Sequence, residues 1–367
     1  MNTNKLIAAI LLLFFFGQRT EAQIHSKNYE KKIDSLILTG FGNKGEPGGV
    51  FMISRKGKTV YRKAFGKANL ELDVNMTPDH VFQIGSMTKQ FTAVAILMLE
   101  QQGKLKVTDP VSQYIKEYPG GDKISIHHLL THTSGIKDFT KMKSLSTIAQ
   151  KEMKPEAMVD FFKNEPVDFA PGEKFDYNNS GYVILGYIIE LVSGDTYEHF
   201  IKKNIFDKAG MAHSYYASDR KVIPGRAYGY HQKEHGFVNK TVISFSVPFS
   251  SGSLMSTADD MLKWQKALNQ NILLNPEETQ KAYQKYTLNS GEEFTYGYGW
   301  HLKDINGIPD REHGGSIFGF KSMGVYIPSE DIYVTGFSNC DCHSPTEITR
   351  NIAKATLDEV RTTVKKP

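Results

Sequence analysis

A serine hydroxyl and a lysine amine three positions apart fall on one face of a helix, where a buried amine of lowered pKa can take or steer the hydroxyl proton. Ser86-Met87-Thr88-Lys89 has that spacing, and so do Ser134-Gly135-Ile136-Lys137 and Ser218-Asp219-Arg220-Lys221. Local context separates the three. Ser86 stands between a short extended segment, residues 81–84 with Gly85, and an apolar helix expected over residues 87–99. Free N–H groups and the positive end of the helix dipole would face it there and could stabilise a developing oxyanion. Ser134 precedes a glycine in a loop after Thr131-His132-Thr133, and Ser218 lies in a charged stretch, so both read as turn residues. A plain N-cap accounts for Ser86 as well as a nucleophile does, and the tetrad alone does not choose.

Two further segments carry reactive groups. Of the eighteen tyrosines, Tyr177 is the only one with an Asn two positions on, in Tyr177-Asn178-Asn179 between the Pro171-Gly172 break and an apolar helix expected over residues 181–192. A phenol can relay a proton, and an amide can hydrogen-bond a carbonyl or an amine. The same residues also have turn composition. In His313-Gly314-Gly315-Ser316, two glycines before an expected strand let an extended ligand approach the backbone at Gly314 and Gly315, so that the Ser316 N–H could complete an oxyanion hole, with His313 as a polar group beside it. An ordinary glycine-rich loop is the alternative.

These groups must be held by a chain of 367 residues, 40% hydrophobic and 23% charged, a composition that excludes disordered, collagen-like and multispanning membrane proteins. The one long apolar run, residues 6–16, is too short to span a bilayer but fits a secretory signal ending near Ala22, which predicts a periplasmic or secreted protein over residues 23–367 with no stable membrane span. A net charge of +4 gives no argument for a nucleic-acid partner. Helical spacing predicts a first helix through Tyr29, Ile33 and Ile37 and a last one through Ile348, Ile352, Leu357 and Val360. Strands are expected over residues 50–54, 59–65, 323–327 and 332–337, and helices over 124–131 and 155–163. Strands near both ends with helices between predict an α+β fold: an antiparallel sheet flanked by the terminal helices, residues about 26–85 plus 246–365, with an inserted all-helical lobe over about 86–245.

Taken together, the three motifs resemble the serine β-lactamase and penicillin-binding-protein superfamily, and within it class C β-lactamases, whose elements are Ser-x-x-Lys, Tyr-x-Asn and a Lys/His-x-Gly triplet in that chain order. Flanking segments are similar too, among them Phe82-Gln83-Ile84-Gly85-Ser86, Leu129-Leu130-Thr131-His132-Thr133-Ser134-Gly135 and Tyr298-Gly299-Trp300, and the likeness runs from about Gly48 to Ser338. The resemblance implies that Ser86 is the acyl-accepting nucleophile and that Lys89 eases its deprotonation. It implies that Tyr177 is a general base or proton shuttle, that Asn179 orients Lys89 and substrate, and that His313 assists Tyr177 or substrate. The N–H groups of Ser86 and Ser316 would form the oxyanion hole. Whether Lys89 or Tyr177 takes the first proton stays open, because coupled groups share their titration.

The third motif departs from the β-lactamase pattern: His313 replaces a fixed cation and Gly314 a hydroxyl residue, which suits the carboxylate of a β-lactam or a peptide C-terminus less well. The expectation is therefore an exported serine hydrolase acting on a small-molecule or peptide ester or amide, with β-lactamase or D-alanyl-D-alanine carboxypeptidase, and then a non-catalytic penicillin-binding-like receptor, as alternatives. No serine has glycine at both −2 and +2, which sets an α/β-hydrolase aside. His127, His128 and His132, of which the second and third would share a helical face, lack the acidic partners of a metal hydrolase, and no cofactor is expected. Cys340 and Cys342 are too close in sequence for an unstrained bridge, so no disulfide is expected; with His343 they are at most a minor metal candidate.

Overall fold

The structure, a computed structural model describing residues 27–364 except Asp219, begins with helix α1 (Lys27–Phe41); the export signal expected over residues 1–22 lies outside the described residues. A hairpin follows, β1 (Gly49–Arg55) and β2 (Lys58–Phe65), turning at Lys56 and Gly57 with φ of 50° and 69°. Two consecutive left-handed residues match the twist of the paired strands, the reason two-residue hairpins favour this turn. Helix α2 (Thr88–Gln101) is buried at every position from Thr88 to Leu99, as its nearly continuous apolar sequence requires. Helix α3 (Asn179–Ser193) starts on an Asn178 cap, whose side chain accepts the Gly181 N–H, and ends on left-handed Gly194.

The C-terminal part adds β3 (His301–Ile305), β4 (Ile308–Ile317), β5 (Phe320–Ile327), β6 (Ile332–Ser338) and helix α4 (Thr346–Val364). These six strands form one antiparallel sheet in the order β3-β4-β5-β6-β1-β2, so the two ends of the chain meet along β1 and β6. Alternation along β1 sorts its side chains into two cores. Phe51 and Ile53 pack with Ile33 and Ile37 of α1 and Ile352 and Leu357 of α4 on the outer face, while Val50 and Met52 join the larger cluster around α2 and α3. Truncating a buried side chain there, such as Leu97 to alanine, would cost about 2–5 kcal/mol. The α+β architecture expected from the sequence is the one observed. Between residues 86 and 245 the regular structure is mainly helical but includes short strands Tyr215–Tyr216, Tyr230–Lys233 and Gly236–Asn239, so that part is not all helix.

Three local expectations are corrected. The segment His313-Gly314-Gly315-Ser316 is not a loop ahead of a strand; it lies within β4, paired with β5 residues Lys321 to Gly324. His128 and His132 share no helical face, because that helix spans only Ile126–Leu130 and His132 adopts a left-handed φ of 60°. Cys340 and Cys342 do form a disulfide: the chain turns tightly after β6 and brings their Cα atoms to 5.1 Å, inside the range a bridge needs. Both thiols are thereby consumed, which removes them as metal ligands in this state. Among the described residues no helix is long and apolar enough to cross a membrane.

Candidate active site

Ser86 sits on a single 3-10 turn, Gly85–Met87, that leads directly into α2, so Lys89 falls one turn on and points back at it. Lys89 is fully buried, and its Nζ donates to Ser86 Oγ at 3.1 Å, to Asn179 Oδ1 at 2.8 Å and to the Ser251 carbonyl at 2.9 Å. Burial pulls its pKa down from 10.5 to about 7, against an opposing pull from the Asp138 carboxylate. The amine is thus divided between its two forms near neutral pH, the condition for exchanging a proton with a hydroxyl.

Asn179 opens α3 and has its amide orientation fixed from both sides. Its Nδ2 donates to Asp138 Oδ2 at 3.1 Å, so its Oδ1 must face Lys89. Asp138 is itself anchored, with Oδ1 accepting from the Thr140 backbone and hydroxyl at 2.9 and 2.8 Å. Tyr177, two residues before Asn179, is half-buried, with its hydroxyl inaccessible to water and directed at Ser86. Burial raises its pKa by more than the nearby Ser86 lowers it, so it is a neutral phenol. Lys89 Nζ lies 4.9 Å from the centre of its ring.

β4 supplies the opposite wall. A Cβ added to Gly315 would come within 2.0 Å of the Ile84 carbonyl, and one added to Gly85 within 2.9 Å of the Ser316 nitrogen, so strand and nucleophile turn touch backbone to backbone. Of the two motif glycines, Gly315 is the one this contact demands; at Gly314 an added Cβ would keep 3.4 Å from its neighbours. His313 is buried. Its Nδ1 lies 2.6 Å from the Gly314 carbonyl and must donate, leaving Nε2 to accept from the Tyr296 hydroxyl at 3.1 Å. Burial, with Lys89 and His301 nearby, holds its pKa well below 6.5, so it is a neutral imidazole. His301 is also shifted down, to about 4, chiefly by burial.

The structure therefore brings Ser86, Lys89, Tyr177 and Asn179 together, with His313, whose ring centre is 6.1 Å from that of Tyr177, and the backbone of Gly315 and Ser316 beside them. The other two tetrads stay apart from it as serine–lysine pairs: Lys137 Nζ pairs with Asp168 at 2.8 Å, and Ser218 Oγ accepts the N–H groups of Arg220 and Lys221 at 3.1 Å each. Sequence reasoning missed Asp138, Tyr296 and the Ser251 carbonyl, and took His132 as a metal candidate and as part of a flanking segment, not as a neighbour of Tyr177. A backbone carbonyl has no residue-type signature, while Asp138 was signalled only by its place beside the second tetrad. Among the described residues no group of three or more His, Cys, Asp or Glu side chains is placed to hold a metal ion.

The sequence profile described as Beta-lactamase matches residues 33–357. The Bacillus subtilis (strain 168) protein PbpX, assigned by name to the penicillin-binding proteins, is 32% identical over 324 residues, spanning 88% of this chain and 77% of that one. Among solved structures, the octameric penicillin-binding protein homologue from Pyrococcus abyssi superposes with a TM-score of 0.79 at 30% identity, covering 89% of this chain and 77% of its own. The D-amino acid amidase from Ochrobactrum anthropi SV3, complexed with L-phenylalanine amide, shares the fold with a TM-score of 0.78 at 24% identity, covering 92% and 99% of the two chains. Likeness in profile, sequence and fold thus extends over the same span that builds the Ser86 site, and the chain belongs to the beta-lactamase family of serine hydrolases and penicillin-binding proteins.

Proposed function

We propose that this protein is an exported serine hydrolase that cleaves an ester or amide through a covalent acyl-Ser86 intermediate. The observation that carries the reading is the buried Lys89 amine, bonded to Ser86 Oγ and poised with a pKa of about 7. Ser86 Oγ would attack the substrate carbonyl while its proton passes to neutral Lys89, which is the better first acceptor because Tyr177 is held as a phenol. Tyr177 would then relay a proton to the leaving group, and water would release the acyl group by the reverse path. Asn179 keeps Lys89 in line. The Ser86 and Ser316 N–H groups are proposed as the oxyanion hole, since β4 runs against the nucleophile turn. Neutral His313 offers no fixed charge, which favours substrates that lack a carboxylate at that point.

A second reading, recognition of penicillins as β-lactamase, carboxypeptidase or receptor, is favoured by the likeness to penicillin-binding proteins. Incubation with a fluorophosphonate and a fluorescent penicillin, followed by peptide mass spectrometry, separates the readings. A Ser86 adduct from the phosphonate alone indicates an esterase or peptidase, and an adduct from both indicates a penicillin-recognising enzyme. A folded protein that reacts with neither is no serine hydrolase.

A further inference from the structure

We infer that His132 is a positioning residue for Tyr177, clamping the backbone on both sides of it and backing its ring. This rests on the reading of Tyr177 as the proton relay. The carbonyl of His132 accepts the Asp176 N–H at 3.0 Å, and its Nδ1 accepts the Asn178 N–H at 3.0 Å, so one residue holds both chain neighbours of Tyr177. The same imidazole lies against the Tyr177 ring with centres 4.3 Å apart, and against Tyr182 at 5.1 Å and Tyr296 at 4.7 Å. Two backbone anchors and a ring contact leave Tyr177 little freedom to swing or slide relative to Ser86. That control matters because the Tyr177 hydroxyl is directed at Ser86, the group whose proton it relays. Proton relay falls steeply with misplacement, so a shift of about 1 Å can lower turnover by ~10²-fold.

His132 is fit for this and unfit for acid–base work. Accepting at Nδ1 places the proton on Nε2, which is buried and has no partner, so the ring's one hydrogen bond is the one to Asn178. Burial, with the positive charge on Lys89 and the neighbouring His313 and His301, keeps it neutral. Its left-handed φ of 60° is a conformation that Asn adopts more readily than most residues, and Asn Oδ1 occupies roughly the place of His Nδ1. His132→Asn is therefore the conservative replacement, whereas His132→Gln carries its amide too far out and His132→Leu has no acceptor.

The test measures kcat, KM and thermal unfolding with a p-nitrophenyl ester for these three variants, alone and combined with Tyr177→Phe. Expected are a kcat within about fivefold of wild type for His132→Asn, and a loss of about 10²-fold with little change in KM for the Gln and Leu variants. In the Tyr177→Phe background the Leu change should then lower kcat by no more than about twofold, since a residue acting through Tyr177 has nothing left to act on. Equal activity of Leu, Gln and Asn variants, or a full additive loss on top of Tyr177→Phe, overturns the inference. Should the Leu and Gln proteins fail to fold, a loss of more than about tenfold in folded His132→Asn does the same. If Tyr177→Phe is itself fully active, the reading of Tyr177 fails and not the clamp, which would then still show as disorder of the Tyr177 ring in a crystal structure of His132→Leu or His132→Gln, with the ring ordered in His132→Asn.

Discussion

Residues 86–89 and 134–137 contain the same tetrad pattern and end in opposite states. In the first, a continuous helical path points Lys89 back at Ser86 in a dry interior, and burial lowers the amine to a pKa of about 7. In the second, left-handed Gly135, with a φ of 73°, breaks the path. An added Cβ there would strike the Phe169 carbonyl at 1.9 Å, so the break is fixed by close packing. Lys137 swings outward to Asp168, whose hydrogen bond raises its pKa, and Ser134 is left buried without a partner. A hydroxyl and an amine in sequence are thus only a possibility; backbone continuity and removal of water make them a pair. The second segment serves the first instead, since it delivers Asp138 to Asn179 and, just upstream, His132 to Tyr177.

That contrast is open to direct attack. The largest effect is expected at the nucleophiles: Ser86→Ala should lower p-nitrophenyl ester turnover by roughly 10⁴-fold or more, and Ser134→Ala should leave it within about twofold. The reverse result would mean that the wrong tetrad has been assigned. Next come the amines, where Lys89→Met should lose about 10³-fold in kcat/KM and Lys137→Met about none. Tyr177→Phe should lower kcat by about 10²-fold with a much smaller change in KM, because a relay acts in the transition state. Asp138→Ala, which frees the Asn179 amide, should cost about tenfold, and steady-state kinetics would show whether the second segment matters to the first at all.

The smallest and most diagnostic effect is on pH. Activity should rise with pH through a limb near 7 as Lys89 loses its proton, and Lys137→Met should keep that limb in place. Stability should carry the same signature. The Lys89 pKa is about 7 in the folded chain against 10.5 for a free side chain, so between those values the unfolded chain binds more protons and raising the pH favours folding. Below about 7 both states hold the proton and the contribution is flat. Urea unfolding across this range should show a positive slope that Lys89→Met removes; an unchanged slope would mean that Lys89 is not desolvated as described.

Long periodic segments were legible in advance. The terminal helices, α2, α3, β1, β2, β5 and β6 carry apolar residues at a period that only one local structure can bury. β3 and β4 do not. Their sequences hold Asp304, Pro309, Asp310, Arg311 and two adjacent glycines, poor strand formers, and they are strands because β4 is paired along both sides, to β3 and to β5. Here tertiary pairing overrode local preference at the segment the site depends on. The Cys340–Cys342 bridge was missed for a similar reason, since sequence separation is blind to a tight turn held by the Asp341 N–H bonding to the Tyr230 carbonyl.

The sequence by itself determined which chemical groups the protein owns, their order along the chain and the family they imply, because residue type and spacing are local properties. Only the tertiary structure decided which of three serine–lysine pairs is dry, which side of Asn179 faces the amine, that His313 is uncharged, and that Asp138 and His132 belong to the site. Each of those depends on burial or on a partner dozens of residues away: Asp138 and Asn179 are 41 positions apart, and His132 and Asn178 are 46. Desolvation and hydrogen-bond partnership are set by what surrounds a group in space, and no window along the chain contains that.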